Sequence, residues 1–321
     1  MINYGIASTG TIVPRFVRGL QQTSNGKALA ICSRSKEKGE QFAKDLDIPL
    51  VHDDYRKMLE NDDIDAIYVP LPNSLHYQYA KEALLAGKHV VVEKPFVLYG
   101  WQGQELKELS RERGLFIVEA IKTPYLPLFK AIREIVDDKR YGKLHLMQFR
   151  QSYVNSKYNT GWNKQKEYGG GVLYGNEAYF YCMAEFLGGK IVSYSGMPSY
   201  GEYDVEDQCS LSVLLENDIL AHNMVSTKVL LQNGLFMYFD KARIDIPDYW
   251  KAREAYIYQD DKLVETLSFP CEYELFYEAQ YFNDCIEKDM LTSDVTPIDN
   301  SIRYAMICED LHKMWRSLED F

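Results

Sequence analysis

The chain has 321 residues, enough to bury a large apolar core and to form two domains. Charged residues make up 26% and the apolar set 46%, with no low-complexity run and no repeat of fixed period, which excludes a disordered chain or a solenoid. The formal net charge of -11 argues against a broad nucleic-acid or membrane-surface footprint, so neither partner is expected.

Met1-Ile2-Asn3-Tyr4-Gly5 enters a strand pattern at once, without a basic n-region, an apolar h-region or a cleavage site, so export is not expected. No stretch approaches the ~18 uninterrupted apolar residues of a bilayer span. The six cysteines are scattered without a C-x-x-C pair, which suits reduced thiols, and a cytoplasmic location is expected. The six histidines lie far apart and show no metal-ligand spacing, so no metal site is expected.

From the start, apolar β-type runs alternate with helical patterns. Residues 2–8 read as a strand, and the helix that follows carries Ile12, Val13, Phe16, Val17 and Leu20 on its apolar face. A second strand at 27–33 leads through helical Phe42, Ala43 and Leu46 to a short strand near Leu50 and Val51. A helix at 55–59 then precedes a strand at 66–69. The period repeats with a helix at 75–86 that stops at Gly87, a strand at 89–93, a helix at 98–113 that stops at Gly114, and a strand at 116–119. Six strands with intervening helices predict an α/β Rossmann domain, a doubly wound parallel sheet, over residues 1–122.

After Lys122 the alternation is lost, and Pro124 with Pro127 marks the boundary. Strands are expected at 144–153, 208–215, 219–228, 234–240 and 255–259, with helices at 126–136, 172–186, 273–286 and 301–318. In the last helix Ile307, Leu311, Met314 and Leu318 share a stripe, and Asp299 or Asn300 is available as the cap. Residues 123–321 therefore read as an α+β domain on a large open, mostly antiparallel sheet.

The first strand-turn-helix runs from Gly5 to Val13. A G-x-G-x-x-G turn there brings backbone close to a pyrophosphate, while the helix N-terminus offers N–H groups to the anion. Only Gly10 holds a fingerprint position, with Ser8 at the first glycine and Val13 at the third. Placement in the first βαβ unit makes Ser8, Thr9, Gly10, Thr11 and Ile12 the candidate cofactor cradle rather than a plain turn. At the end of the second strand, where an NAD site usually places an acid for the ribose 2′-hydroxyl, the chain has Cys32-Ser33-Arg34. Arg34 can pair with a 2′-phosphate, Ser33 can donate a hydrogen bond, and Lys38 adds charge one helical turn further on. NADP is thus expected in preference to NAD, and the competing reading is a solvated basic helix start.

Two more segments, Val69-Pro70-Leu71-Pro72-Asn73-Ser74-Leu75-His76 and Ala86-Gly87-Lys88-His89-Val90-Val91-Val92-Glu93-Lys94-Pro95-Phe96, resemble the Gfo/Idh/MocA oxidoreductase family, in its branch related to dihydrodiol and xylose dehydrogenases. Glu119-Ala120, Pro127, Gly161-Trp162, Gly169-Gly170-Gly171, Tyr179 and Asn300-Ser301 extend the resemblance over nearly the whole chain. In that family the lysine of Glu-Lys-Pro touches the substrate oxygen and the nicotinamide ribose, which the resemblance carries to Lys94. A cation at the carboxyl edge of a parallel sheet would stabilise developing alkoxide charge. The competing reading is a surface lysine before a proline turn. Glu93 would orient Lys94, and Leu71, Asn73 and His76 would line the nicotinamide side, with helix-start packing as the alternative for His76.

The family's other catalytic element, Asp-x-Gly-x-Tyr or Asp-x-Gly-x-His, aligns with Gly175-Asn176-Glu177-Ala178-Tyr179. The tyrosine is kept, the aspartate is glycine, and the usual glycine is Glu177. Two arginines frequent in relatives fall on Pro124 and Asn163, which counts against an arginine-held acidic substrate. Tyr179 reads either as a proton donor activated by Lys94 or as a core tyrosine beside Tyr174, Phe180 and Tyr181. The resemblance implies an NADP-dependent oxidoreductase moving a hydride to or from a sugar, polyol or diol, assembled as a homodimer or larger homo-oligomer through the C-terminal sheet. The competing expectation is a weakly active or inactive NADP- or metabolite-sensing regulator, favoured by the missing aspartate and opposed by Lys94 and Tyr179.

Overall fold

The computed structural model describes residues 1–154 and 161–318, the side chains of 317 and 318 excepted. The chain forms two compact units: Met1–Lys122 with Tyr273–Ala305, and Thr123–Glu272 with the chain from Met306 onward. The break after Lys122 falls where strand-helix alternation stops. The segment Tyr273–Ala305 belongs to the first unit, not to the second.

In the first unit β1 (Ile2–Ile6), β2 (Gly26–Cys32), β3 (Leu50–His52), β4 (Ala66–Val69), β5 (His89–Glu93) and β6 (Ile117–Ala120) form a parallel sheet in the order β3-β2-β1-β4-β5-β6. All four residues of β4 and the Val90-Val91-Val92 run of β5 are buried, as in a sheet covered on both faces. Strand order reverses at β1, so the carboxyl ends of β1 and β4 flank the switch point at which such sheets bind ligands.

The helices α1 (Val13–Leu20), α2 (Lys36–Asp45), α3 (Tyr55–Leu59), α4 (His76–Leu85) and α5 (Gly100–Arg113) connect these strands. Helix α1 has Pro14 in its first turn and buries Val13, Phe16, Val17 and Leu20 along one face. Ser35 caps α2 by accepting the Lys38 N–H, Asp54 caps α3 by accepting the Arg56 N–H, and Gly114 at φ 63° ends α5.

The second unit contains α6 (Pro127–Asp137), β7 (Leu144–Ser152), α7 (Val172–Gly188), β8 (Ile191–Tyr200), β9 (Glu206–Leu215), β10 (Ile219–Ser226), β11 (Gly234–Phe239), β12 (Arg243–Pro247), β13 (Glu254–Gln259) and β14 (Lys262–Ser268). Its eight-stranded sheet runs β14-β13-β12-β11-β7-β10-β9-β8 and is antiparallel except between β7 and β10. Three of these strands were not expected from the sequence. The edges β8 and β14 are half exposed, and Ser, Gly and Pro in the first and Lys and Glu in the second break the apolar alternation. In β12 the charged Arg243 and Asp245 sit on one face and bond to each other at 2.8 Å, which hides a short strand behind a polar composition.

Helix α8 (Leu275–Glu287) returns to the first unit, and α9 (Ile298–Leu318) starts there and continues into the second. Because α9 begins at Ile298, Asp299 and Asn300 lie inside its first turn, which corrects their expected place at the cap. The Ile298 N–H donates instead to Thr292 Oγ1 at 3.1 Å. The stripe also needs correction: Ile307 and Leu311 are buried with Trp315 four residues on, while Met314 is 45% exposed and the Leu318 side chain lies outside the described residues. No helix among the described residues is long and apolar enough to cross a membrane.

Candidate functional site

The turn from β1 to α1 passes the switch point of the parallel sheet. Ser8 Oγ accepts the Gly10 N–H at 3.1 Å and donates to the Pro70 carbonyl at 2.7 Å, tying this turn to the loop after β4. Ser8 thus shapes the cradle with a hydroxyl already engaged in both directions. A Cβ on Gly10 would stand 3.0 Å from the Pro70 oxygen and 3.3 Å from Ser8 Oγ, so a larger residue would fit only if the two loops gave way by a few tenths of an ångström. Thr9, Gly10 and Ile12 are partly exposed and Thr11 is exposed. Among the described residues no side chain caps α1. A glycine turn leading into an uncapped helix N-terminus at a switch point supplies the donors a pyrophosphate needs, so these residues fit a dinucleotide.

The Lys94 segment leaves β5 two strands away from β1, and it is pinned along its length. Glu93 Oε1 accepts the Tyr68 hydroxyl at 2.5 Å, and its Oε2 accepts the Lys94 backbone N–H at 3.3 Å. Tyr68 is itself fixed by Phe16 of α1, whose ring stacks on it at 3.7 Å between centroids. Fully buried His76 places Nδ1 2.8 Å from the Pro95 carbonyl and Nε2 2.8 Å from that of Leu71, while the Phe96 N–H donates to Glu119 Oε1 at 2.8 Å.

His76 therefore clamps the loop after β4 to the Glu-Lys-Pro loop and leaves no ring edge for a ligand, which corrects its expected place against the nicotinamide. Burial holds its imidazole below the ordinary histidine pKa, so the neutral ring donates to one carbonyl. Asn73 is also buried, and Leu71 is partly exposed.

At the end of β2 Arg34 is exposed and Ser33 is buried, with Ser33 Oγ accepting the Ser35 N–H at 3.3 Å. Arg34 precedes the cap of α2 and so stands off the helix face. The Lys38 ammonium lies 5.6 Å from the centre of the Phe42 ring, along its own helix. Lys38 thus keeps its ammonium beside an aromatic ring of its own helix, one turn beyond Arg34.

In the second unit the glycine run precedes α7. Gly171 at φ 95° is its N-cap residue, and a Cβ there would fall 2.3 Å from Glu206 Oε2; a Cβ on Gly170 would fall 2.4 Å from the Asn163 oxygen. Only glycines let this turn pass its neighbours. Along α7, Gly175 and Glu177 are buried while Tyr179 is partly exposed. Asn223 Nδ2 donates to both Glu177 oxygens at 3.0 and 2.8 Å, and Cys209 Sγ approaches at 3.4 Å. Glu177 thus points into the face of the sheet formed by β9 and β10.

A buried ionic group in the first unit was not visible in the sequence. Lys122 lies 3.5 Å from Glu274, which also pairs with Arg15, and Glu278 is buried beside them. Burial, aided by Arg15, pushes the Lys122 ammonium down to about 8. Burial raises Glu274, but Lys122 and Arg15 override it and hold that carboxyl down to about 2. These partners lie more than 150 residues apart, beyond any local pattern.

Residues 2–120 match the profile of an oxidoreductase family with an NAD-binding Rossmann fold, and residues 129–245 match the Gfo/Idh/MocA C-terminal domain. The chain is 27% identical to scyllo-inositol 2-dehydrogenase (NADP(+)) IolU of Bacillus subtilis, over 98% of this chain and 97% of that protein. It is 25% identical to trans-1,2-dihydrobenzene-1,2-diol dehydrogenase of Bos taurus, over 97% and 96%. The fold is shared with KijD10, a 3-ketoreductase from Actinomadura kijaniata solved with NADP and TDP-benzene, at a TM-score of 0.88 and 21% identity, covering 97% of each chain. With both its domains matched in order by profiles of one family, this chain belongs to the Gfo/Idh/MocA oxidoreductases.

Proposed function

We propose that this protein is an NADP(H)-dependent oxidoreductase that moves a hydride between the nicotinamide and a CH–OH or C=O carbon of a sugar, polyol or diol. The observation that carries this reading is the pinned Lys94 segment at the carboxyl edge of β5, in the same sheet as a dinucleotide-fitting turn. Bound dinucleotide supplies or accepts the hydride. Lys94 offers a cation to the charge that develops on the substrate oxygen, and its anchored backbone keeps that cation in place before the reaction starts. Tyr179 holds the proton that the substrate oxygen gains or loses.

Residues 1–122 serve the dinucleotide, and the α+β part serves substrate and assembly. The two relatives named for an inositol and a dihydrodiol support a hydroxylated substrate. The test is NADPH formation or consumption with a panel of polyols, diols, aldoses and ketoses. Tight NADP(H) binding without turnover of any member would replace this reading with the sensor, which the glycine at 175 favours.

The cofactor preference rests on Ser33-Arg34 with no acid beside them. NADP(H) is expected to bind at least ~10-fold more tightly than NAD(H), or ~1.4 kcal/mol from one charge-assisted phosphate contact. Arg34→Ala should erase the difference. Titration of both cofactors against both proteins decides it, and equal wild-type affinities would end the NADP assignment.

The outer face of the eight-stranded sheet is the proposed homodimer surface. Leu220 and Met224 of β10 and Met197 of β8 are exposed on it, while α7 packs on the opposite face. Light scattering should give a dimer for the native chain and a monomer for Leu220→Glu. A monomeric native protein would remove this surface from the assembly.

A further inference from the structure

Glu119 is the third residue of β6, paired in register with Val92 one position before the end of β5. It is 2% exposed. Its Oε1 accepts the Phe96 N–H at 2.8 Å, the hydroxyl of Ser301 in the first turn of α9 donates to the carboxylate, and Oε2 is buried with no hydrogen-bond partner among the described residues. Leaving a carboxylate oxygen unmatched in the interior is costly, so a plain packing role would be better served by an apolar side chain or an amide. The charged groups that face it are Lys94, which favours its ionised form, and Glu93, which opposes it.

We propose that Glu119 is a positioning residue for Lys94: it fixes the Lys94-Pro95-Phe96 turn through the Phe96 N–H and sets a negative charge facing the lysine. The inference rests on the reading of Lys94 as the charge partner of the substrate oxygen. Both contributions fade when the carboxylate is protonated, because a neutral acid accepts the N–H more weakly and no longer balances the cation. Burial pushes this carboxyl up to about 7, against the lowering by Ser301, the Phe96 N–H and Lys94, and Glu93 adds to the rise. The switch therefore falls near pH 7, with the competent form above it.

The experiment follows two signals in the full chain. One is kcat/KM against pH; the other, free of any turnover, is the amide resonance of Phe96 in protein labelled with 15N-phenylalanine. In the native chain both should inflect at a common pH near 7, with the rate falling below it. Glu119→Gln keeps the size and the carbonyl acceptor but cannot ionise. It should flatten both curves and lower kcat about tenfold above the inflection, while NADP(H) affinity stays within roughly threefold.

A Gln variant with native kcat and an unchanged pH profile, or a native Phe96 amide that does not titrate, overturns the proposal. If no sugar, polyol or diol is turned over, the hydride reading fails separately, and the Phe96 titration alone decides the place of Glu119. Should Glu119→Gln not fold, Ser301→Ala removes a bond that favours the charged carboxylate and must move the inflection to higher pH. An unmoved inflection would count against Glu119 as the titrating group.

Discussion

Lys94→Ala is expected to lower turnover about 100-fold or more while leaving NADP(H) affinity within a few-fold. That factor corresponds to ~2.7 kcal/mol of transition-state stabilisation, a magnitude typical of one preorganised charge partner lost from a site shielded from water. The surroundings of Lys94 make the variant informative. The segment is fixed through Glu93, the Lys94 N–H, the Pro95 carbonyl and the Phe96 N–H, none of which uses the lysine side chain. Truncation therefore removes the ammonium and leaves the backbone path intact, so a loss of rate reports charge rather than misfolding. Steady-state kinetics with a competent substrate and a cofactor titration separate the two. An unchanged kcat would take Lys94 out of the chemistry, and a large loss of cofactor affinity would reassign it to binding.

What the sequence reveals about this site divides along a physical line. Periodic burial is written locally: three consecutive buried valines announce β5, a proline in the first turn and an apolar stripe announce α1, and Gly114 announces the end of α5. Glu93-Lys94-Pro95 could be placed because it follows such a strand. Partnerships between distant polar groups leave no local trace. Ser8 bonds the carbonyl of Pro70, His76 bonds that of Pro95, and Glu119 bonds the N–H of Phe96, so residues that looked like ligand contacts or bare landmarks turn out to hold the loops in register.

The same limit explains the missed strands. Edge strands β8 and β14 do alternate in burial, but Gly196, Pro198 and Glu265 stand among their partly buried positions, so the apolar alternation is lost and their membership in the sheet is set by backbone pairing that composition does not record. The start of α9 was misplaced because its capping oxygen belongs to Thr292, six residues before the first helical residue.

Tyr179→Phe is expected to lower turnover strongly, about 100-fold, while Glu177→Gln changes it by less than roughly threefold. The two residues share a helix but not a face. Tyr179 stands four residues after Gly175, one helical turn further along the same side, and Glu177 stands two residues from both. The structure gives Glu177 a different occupation: it is fully buried and holds Asn223 through both oxygens. Burial pushes its carboxyl up to about 8, against the lowering by Asn223 and Cys209, and Glu206 adds to the rise.

The consequence for stability has a definite sign. Below the ordinary value of 4.5 the acid is protonated in both folded and unfolded chains and costs nothing. As pH climbs towards 8 the unfolded chain ionises first, so stability is lost progressively through the folded value. Glutamine keeps an oxygen for the Asn223 amide and cannot ionise. Glu177→Gln should therefore be more stable than the native chain at about pH 8, on the order of 1–3 kcal/mol, with the gain shrinking towards about pH 5. Thermal melts across that range and steady-state kinetics on both variants test the assignment together. Loss of activity in Glu177→Gln with a normal Tyr179→Phe would exchange their roles. If both variants match the native chain and no hydroxylated substrate is turned over, Tyr179 is a core residue and the dinucleotide-sensing reading takes the place of the enzyme.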